Sequence, residues 1–189
     1  MGPLVVGISG ASGAIYAVRL LQILKQSGVA AHLIVSRSAA QTLKEECDLT
    51  VEAVRALADV TYANGDMGAA VSSGSFRTRG MIIVPCSART LADVAHGSGD
   101  TLIARTADVT LKERRRLVLL LRETPLHAGH IRNMLHATEN GAIVMPTVPA
   151  FYAKPQSVDD IVTQTVARAL DLFDIDPGVL KRWRTAKSE

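Results

Sequence analysis

A glycine-rich turn near the start of the chain carries the first residues that could do chemistry. Ser12 lies in this turn, Gly10–Ala14, which follows the apolar run Leu4–Ile8 and precedes a helical pattern from Ile15. A strand, a glycine-rich turn and a helix start expose backbone N–H groups, and the helix dipole favours negative charge there. The pattern predicts a site for a nucleotide or flavin phosphate, with a turn needed only for packing as the alternative.

Polar residues also follow the later apolar runs of the sequence. They are Ser36, Ser87, Arg122 and the loop from Pro146 to Tyr152. Because the carboxyl ends of parallel strands meet at one edge of a sheet, we expect these residues to form a cleft for a large polar ligand. An NAD site needs an acidic residue where this chain has Ser36, so the position suits NADP or a flavin phosphate instead.

Cations at helical spacing are the next candidates. Arg105 and Lys112 lie seven residues apart, hence nearly on one helix face, with Asp108 between them. We expect a surface pair of Asp108 with Lys112, and a cationic clamp for phosphate is the alternative. Arg168 lies on the flank of an apolar helical stripe, a costly place unless it meets an anion, which Tyr152 could also reach.

Histidine, cysteine and glutamate side chains could also be reactive, but structural roles explain most of them. His127 and His130 have metal-ligand spacing but no third ligand, so we expect histidines at a helix start and no metal. Cys86 is expected to be a buried, unreactive side chain. Glu45 and Glu46 are expected to lie on a solvated helix face; the alternative is that one of them points into the cleft and donates or accepts a proton.

Alternating apolar runs and helical patterns supply the elements that position these residues. The sequence predicts strands at 3–9, 30–36, 80–85, 117–122 and 142–146. It predicts helices at 13–27, 37–47, 51–58, 88–97, 104–114, 128–139 and 157–173. Continuous apolar strands separated by helices predict an α/β, three-layer, Rossmann-like (flavodoxin-like) fold, with a mostly parallel central sheet flanked by helices. We expect residues 1–189 to form a single domain.

Composition narrows the functional classes. Of 189 residues, 48% are hydrophobic and only 4% are aromatic, with a net charge of +3. The basic residues form no stripe with interleaved aromatics, so we expect no nucleic-acid partner. The one basic run, Arg114–Arg116, is interpreted as a solvated helix end. No leader or membrane-length apolar stretch is found and there are two cysteines, which predicts a cytoplasmic protein without membrane contact.

Five motifs in order make the chain similar to a known family. It resembles the UbiX-type flavin prenyltransferases from about Leu4 to Trp183. The motifs are Gly10–Ala14, Pro85–Ser87 with Thr90, Arg105–Val109 through Leu111–Arg115, Arg122–Pro125, and Pro149–Tyr152 through Pro155–Ser157.

The resemblance implies a reaction, a cofactor and partners. A dimethylallyl group would pass, without metal, from dimethylallyl phosphate to N5 and C6 of reduced FMN. The product, prenylated FMN, would go to a UbiD-type decarboxylase. Family members form dodecamers whose active sites lie between subunits, so a homo-oligomer is expected.

The resemblance also implies roles for individual residues. Those that would bind FMN are Gly10, Ala11, Ser12, Ser36, Ser87, Thr90 and Arg122. Those that would bind the prenyl phosphate are Arg105, Lys112, Tyr152 and Arg168. Glu46 and Ser12 would transfer protons during the reaction. Lys112 and Glu123 complete the expected catalytic group.

Two alternative functions remain at this point. A non-catalytic FMN carrier would need the Gly10–Gly13 loop and Arg122 but would give no task to Lys112, Tyr152 and Arg168. A flavoprotein like the FMN-dependent cysteine decarboxylases would need a histidine near the flavin, and no histidine in the sequence is clearly placed for this.

Overall fold

Six parallel strands form one sheet in the computed structural model, which describes residues 2–183. The strand order is β3-β2-β1-β4-β5-β6, and every neighbouring pair is parallel. The strands are β1 Leu4–Ile8, β2 Ala31–Val35, β3 Val60–Ala63, β4 Gly80–Cys86, β5 Arg116–Leu121 and β6 Ile143–Val144. Because all strands run the same way, their carboxyl ends share one edge, called here the carboxyl edge; the opposite edge is the amino edge.

Seven helices cover the two faces of the sheet. They are α1 Ala14–Gln26, α2 Arg37–Cys47, α3 Val51–Arg55, α4 Ala88–His96, α5 Leu102–Lys112, α6 Ala128–Glu139 and α7 Val158–Asp171. Alternate strand residues point to opposite faces. On one face they pack with α1, α2, α3 and α7, and on the other with α4, α5 and α6. The predicted three-layer α/β fold is confirmed.

Polar caps explain where the helices begin. Ser36, Ser87 and Thr101 each accept a hydrogen bond from a backbone N–H in the first turn of the following helix. Ser157 and Asp160 form a capping box at the start of α7. No helix within residues 2–183 is long and apolar enough to cross a membrane.

Two details of the predicted elements are wrong. The strand β3 was not predicted, because Val60–Ala63 is a short, mostly exposed edge strand without a continuous apolar run. The helix expected at 51–58 ends at Arg55, and a short turn then connects it to β3 at Val60. The other predicted strands and helices are present, with ends that differ by one or two residues in most cases.

Candidate functional site

The turn after β1 is shaped by close approach to α2. A side chain at Gly10 would overlap Ser38 at the start of α2, so only glycine fits there. Gly13 has a φ of 102°, a conformation that other residues rarely adopt, and it caps α1. Neither Gly10 nor Ala11 forms a hydrogen bond with any described residue, although Ala11 is buried. Their backbone groups therefore remain available to a ligand.

Glu46 of α2 supplies an anion to the start of α1. Its Oε2 accepts hydrogen bonds from the N–H groups of Gly13 at 2.7 Å and Ala14 at 2.9 Å. Burial raises the pKa of Glu46, but hydrogen bonds from Ser12, Ala14 and Gly13, together with the charge of Arg122, leave that pKa below its usual value. Glu46 is therefore held as a carboxylate beside the Ser12 hydroxyl.

This contact corrects one expectation about the glycine-rich turn. The sequence predicts that the helix N-terminus binds a phosphate, whereas the N–H groups of Gly13 and Ala14 are already satisfied by a carboxylate of the same chain. The anion preference of a helix N-terminus is thus used internally. A ligand at this turn has Gly10, Ala11 and the Ser12 hydroxyl to contact instead.

A hydroxyl network connects the turn after β1 with the start of α4. Ser9 donates to the carbonyl of Pro85 at 2.8 Å and accepts from the N–H of Ser87 at 2.8 Å. Ser87 accepts from the N–H of Thr90 at 3.2 Å and donates to the Thr90 hydroxyl at 3.0 Å. Ser9 is buried, was not predicted as a site residue, and fixes the two turns against each other. Ser87 is also the N-cap of α4.

Arg122 and Glu123 follow β5 at the same edge. The Arg122 N–H donates to the carbonyl of Cys86 at 2.9 Å, and a Cβ added at Gly13 would lie 3.9 Å from the Arg122 side chain. The Arg122 side chain is exposed, and its charge acts on Glu46 and Tyr16. Glu123 accepts a hydrogen bond from the N–H of Thr124 at 3.1 Å. Arg122 is thus a cation placed directly beside the glycine-rich turn.

Ser36 and Tyr16 lie on the flanks of this group. The N–H of Ser36 donates to the carbonyl of Ile8, and the Ser36 hydroxyl caps α2 through Ala39. Burial raises the pKa of the Tyr16 phenol, although the charge of Arg122 and a hydrogen bond with Thr147 oppose that effect. The influence of Thr147 on Tyr16 shows that α1 and the loop after β6 lie close together, which sequence reasoning did not predict.

Tyr152 and Arg168 share a separate small cavity of about 220 Å³, as expected from their sequence positions. Arg168 forms an ion pair with Asp171 at 3.1 Å, and Asp171 also contacts Arg182 at 2.5 Å. The hydrogen bond from Arg182 lowers the pKa of Asp171, with help from the charge of Arg168. Arg168 does meet an anion, but here it is a carboxylate of its own helix. The cavity is also lined by Leu180, Lys181 and Trp183.

The ion pairs on α5 differ from the expected pair. Asp108 binds Arg105 at 2.8 Å, and Lys112 binds Glu113 at 2.6 Å, so the predicted Asp108–Lys112 pair is wrong. Both spacings allow contact on a helix, and the guanidinium three residues earlier reaches the carboxylate. Lys112 is the last residue of α5, four residues before β5 begins at Arg116, and thus lies at the amino edge. Within one chain, Lys112 does not join Tyr152 and Arg168.

His127 lies at a helix start and Cys86 is buried, as the simpler interpretations of these two residues predict. His127 caps α6 by accepting from the N–H of Gly129, and its ring stacks on His130 with centroids 3.7 Å apart. Cys86 is fully buried, and burial raises the pKa of its thiol. No group of three or more potential metal ligands occurs among residues 2–183.

The structure therefore brings most predicted site residues together at the carboxyl edge. That group contains Gly10, Ala11, Ser12, Ser36, Glu46, Ser87, Thr90, Arg122 and Glu123. Tyr152 and Arg168 form a second group beside α7, and Arg105 and Lys112 lie on α5. Hydroxyls, free backbone groups and one cation suit a polar, phosphate-bearing ligand, and a fixed carboxylate next to a hydroxyl suits proton transfer.

Comparison with known proteins agrees with this arrangement. Residues 2–170 match the family model described as Flavoprotein. The chain is 54% identical to the flavin prenyltransferase UbiX of Escherichia coli K12, over 98% of this chain and all of that protein. It is 51% identical to the flavin prenyltransferase UbiX of Thauera aromatica, over 95% of this chain and 93% of that protein.

Solved structures of similar proteins have the same fold. The crystal structure of AnUbiX (PadA1), in complex with FMN and dimethylallyl pyrophosphate, superposes with a TM-score of 0.95 at 51% identity, covering 98% of this chain and 99% of that one. The dodecameric FMN-dependent UbiX-like decarboxylase of Escherichia coli O157:H7 superposes with a TM-score of 0.94 at 46% identity, covering 97% and 100%.

Proposed function

This chain belongs to the UbiX-type flavin prenyltransferases, and we propose that it transfers a dimethylallyl group from dimethylallyl phosphate to N5 and C6 of reduced FMN. The observation that carries the proposal is the Glu46 carboxylate. It is held by two backbone N–H groups beside Ser12 and Arg122, at an edge rich in hydroxyls. A protein that only carries FMN has no use for a fixed proton acceptor at this place.

The residues of the carboxyl edge fit FMN. The unpaired backbone groups of Gly10 and Ala11 offer hydrogen bonds, and the hydroxyls of Ser12, Ser36, Ser87 and Thr90 surround them. Arg122 provides positive charge for the flavin phosphate or a ring oxygen. When bound, reduced FMN supplies the electron-rich N5 and C6 atoms that accept the prenyl group.

Glu46 and Ser12 are proposed to move a proton during the reaction. The Ser12 hydroxyl helps to lower the pKa of Glu46, so the carboxylate beside it is charged at neutral pH. A carboxylate at that point can accept a proton through the hydroxyl, and the fixed geometry avoids reorganisation. Glu123, at the end of β5, is proposed to assist from the same edge.

Tyr152 and Arg168 are proposed to bind the departing phosphate, with Arg105 and Lys112 contributed by another copy of the chain. An allylic phosphate ionises more readily when fixed cations stabilise the leaving group. Arginine and lysine can provide this stabilisation in place of a metal. Since Lys112 lies at the amino edge, far along the fold from the carboxyl edge, this division of roles requires an oligomer.

The proposal extends to assembly and partners. A dodecamer with sites between subunits is supported by the dodecameric relative, and transfer of prenylated FMN to a UbiD-type decarboxylase completes the proposed role. The single-domain organisation of residues 1–189 and the cytoplasmic location also remain predictions.

An anaerobic assay tests the proposed reaction directly. The protein is mixed with reduced FMN and dimethylallyl phosphate, and the extracted flavin is analysed by mass spectrometry. We expect a flavin heavier by one prenyl unit. Folded protein that binds FMN but produces no heavier flavin would contradict the proposal.

Variants of the phosphate-binding group test the division of roles. Arg168→Ala and Tyr152→Ala are expected to raise the KM for dimethylallyl phosphate while FMN affinity stays unchanged. Arg132→Ala, which removes an exposed arginine from α6, serves as the matched control. Equal loss of FMN binding and prenyl-phosphate use in Arg168→Ala would show that the assigned roles are wrong.

A further inference from the structure

A large cavity lies at the amino edge and shares no lining residue with the cavity of Tyr152 and Arg168 in the same chain. Its volume is about 650 Å³, within the usual range of small-molecule sites. Gly2, Gly141 and the start of β5 border it, and Leu111, Ile143 and Phe173 supply apolar surface. Five segments that are distant in the sequence therefore combine to form it.

Four arginines line this cavity: Arg79, Arg114, Arg115 and Arg116. Asp174 is the one carboxylate among its lining residues, and it lies 3.5 Å from Arg116 while remaining mostly exposed. Glu113, in the adjoining cavity that shares Thr78 and Arg115, is paired with Lys112. The lining thus carries a formal excess of three positive charges.

Neutral acceptors hold two of these four guanidinium groups in place. Arg115 donates to the carbonyls of Gly74 at 2.7 Å and Phe76 at 2.8 Å, and Arg79 donates to the carbonyl of Phe173 at 3.3 Å. These bonds orient the arginines without neutralising them. The Nε of Arg79 is buried and has no partner among the described residues, which leaves a donor unsatisfied.

We propose that this arginine-lined cavity binds a small phosphorylated metabolite through its phosphate groups, as a second site distinct from the prenyl-transfer site. The planar guanidinium fork matches phosphate oxygens in a bidentate way. A bound phosphate would also relieve the repulsion between cations gathered around one cavity. The concave shape favours a small molecule over the flat surface of another protein. This inference does not depend on the proposed reaction.

Calorimetric titration of the FMN-loaded protein with inorganic pyrophosphate, at constant ionic strength, tests the second site. The double variant Arg114→Gln/Arg116→Gln is expected to raise the Kd by about tenfold or more, because two cations are lost. The double variant Arg55→Gln/Arg132→Gln removes the same charge outside the cavity and is expected to bind as the wild type does. Prenyl transfer is expected to be unchanged in both.

A third variant separates the second site from the prenyl site. Arg168→Gln is expected to retain pyrophosphate binding while losing prenyl-phosphate use. Loss of pyrophosphate binding in Arg168→Gln, with binding kept in Arg114→Gln/Arg116→Gln, would place the anion in the prenyl site and overturn the inference. So would an equal response to sulfate, or a change of oligomeric state, measured by size-exclusion chromatography with light scattering, in place of a change of affinity.

Discussion

The two edges of the sheet differ in whether their charged groups are paired within the chain. At the carboxyl edge, the chain supplies its own carboxylate, Glu46, to the N–H groups of Gly13 and Ala14. At the amino edge, Arg79 and Arg115 are bound to backbone carbonyls, so their charge is not cancelled. The first edge is balanced internally and presents hydroxyls, whereas the second retains positive charge. Within one chain, the loops after the parallel strands thus hold the fixed carboxylate and the hydroxyls, while the opposite edge holds uncancelled positive charge.

The largest expected effect comes from the charge at the carboxyl edge. Glu46→Gln is expected to lower kcat for prenyl transfer about 100-fold, since loss of a positioned proton acceptor has effects of that order. FMN affinity, measured by flavin fluorescence, should stay unchanged. Glu45→Gln removes the same charge from the neighbouring exposed position and is the control. Equal kcat values for the two variants would contradict the role of Glu46.

A smaller effect, on stability, is expected from the packing of the turn after β1. Gly10→Ala places a methyl group against Ser38, so the loop or α2 must shift, and we expect the free energy of unfolding to fall by about 1–3 kcal/mol. Chemical denaturation of both proteins measures this difference. Gly99→Ala is the matched control, because open space surrounds that position. If Gly99→Ala lowers the free energy of unfolding by as much as Gly10→Ala, the close approach of Gly10 to Ser38 does not determine stability.

The amino edge can be tested in the same way. Arg115→Gln removes charged donors from the carbonyls of Gly74 and Phe76 and is expected to reduce the free energy of unfolding by about 1–2 kcal/mol. Arg114→Gln removes the same charge from an exposed side chain and is expected to cost less than about 0.5 kcal/mol. Similar losses in the two variants would show that these arginines have the same role.

The sequence predicts the fold well because each buried strand is a continuous apolar run, which can be recognised from the local sequence. It misses β3, since Val60–Ala63 is stabilised by pairing with β2 rather than by its own composition. The contact of Glu46 with Gly13 spans 33 residues, so no local pattern reveals it. Which cation pairs with Asp108 on α5 depends on side-chain rotamers, and the spacing of residues in the sequence does not determine these. Polar residues after strands were therefore predictable as a group, but their pairings were not.

The smallest expected effect is a pH dependence of stability caused by Glu46. Its folded pKa lies below the ordinary value of 4.5, so its charged form stabilises the fold above that pH. This contribution is lost as the pH falls through the lowered pKa. We expect the stability difference between wild type and Glu46→Gln, measured by urea denaturation, to shrink as the pH is lowered from 7 to about 3. Other carboxylates with lowered pKa, among them Asp171, are present in both proteins and cancel in the difference. Glu45→Gln is expected to show no such trend, and a difference that stays constant or grows on acidification would show that the Glu46 carboxylate does not stabilise the start of α1.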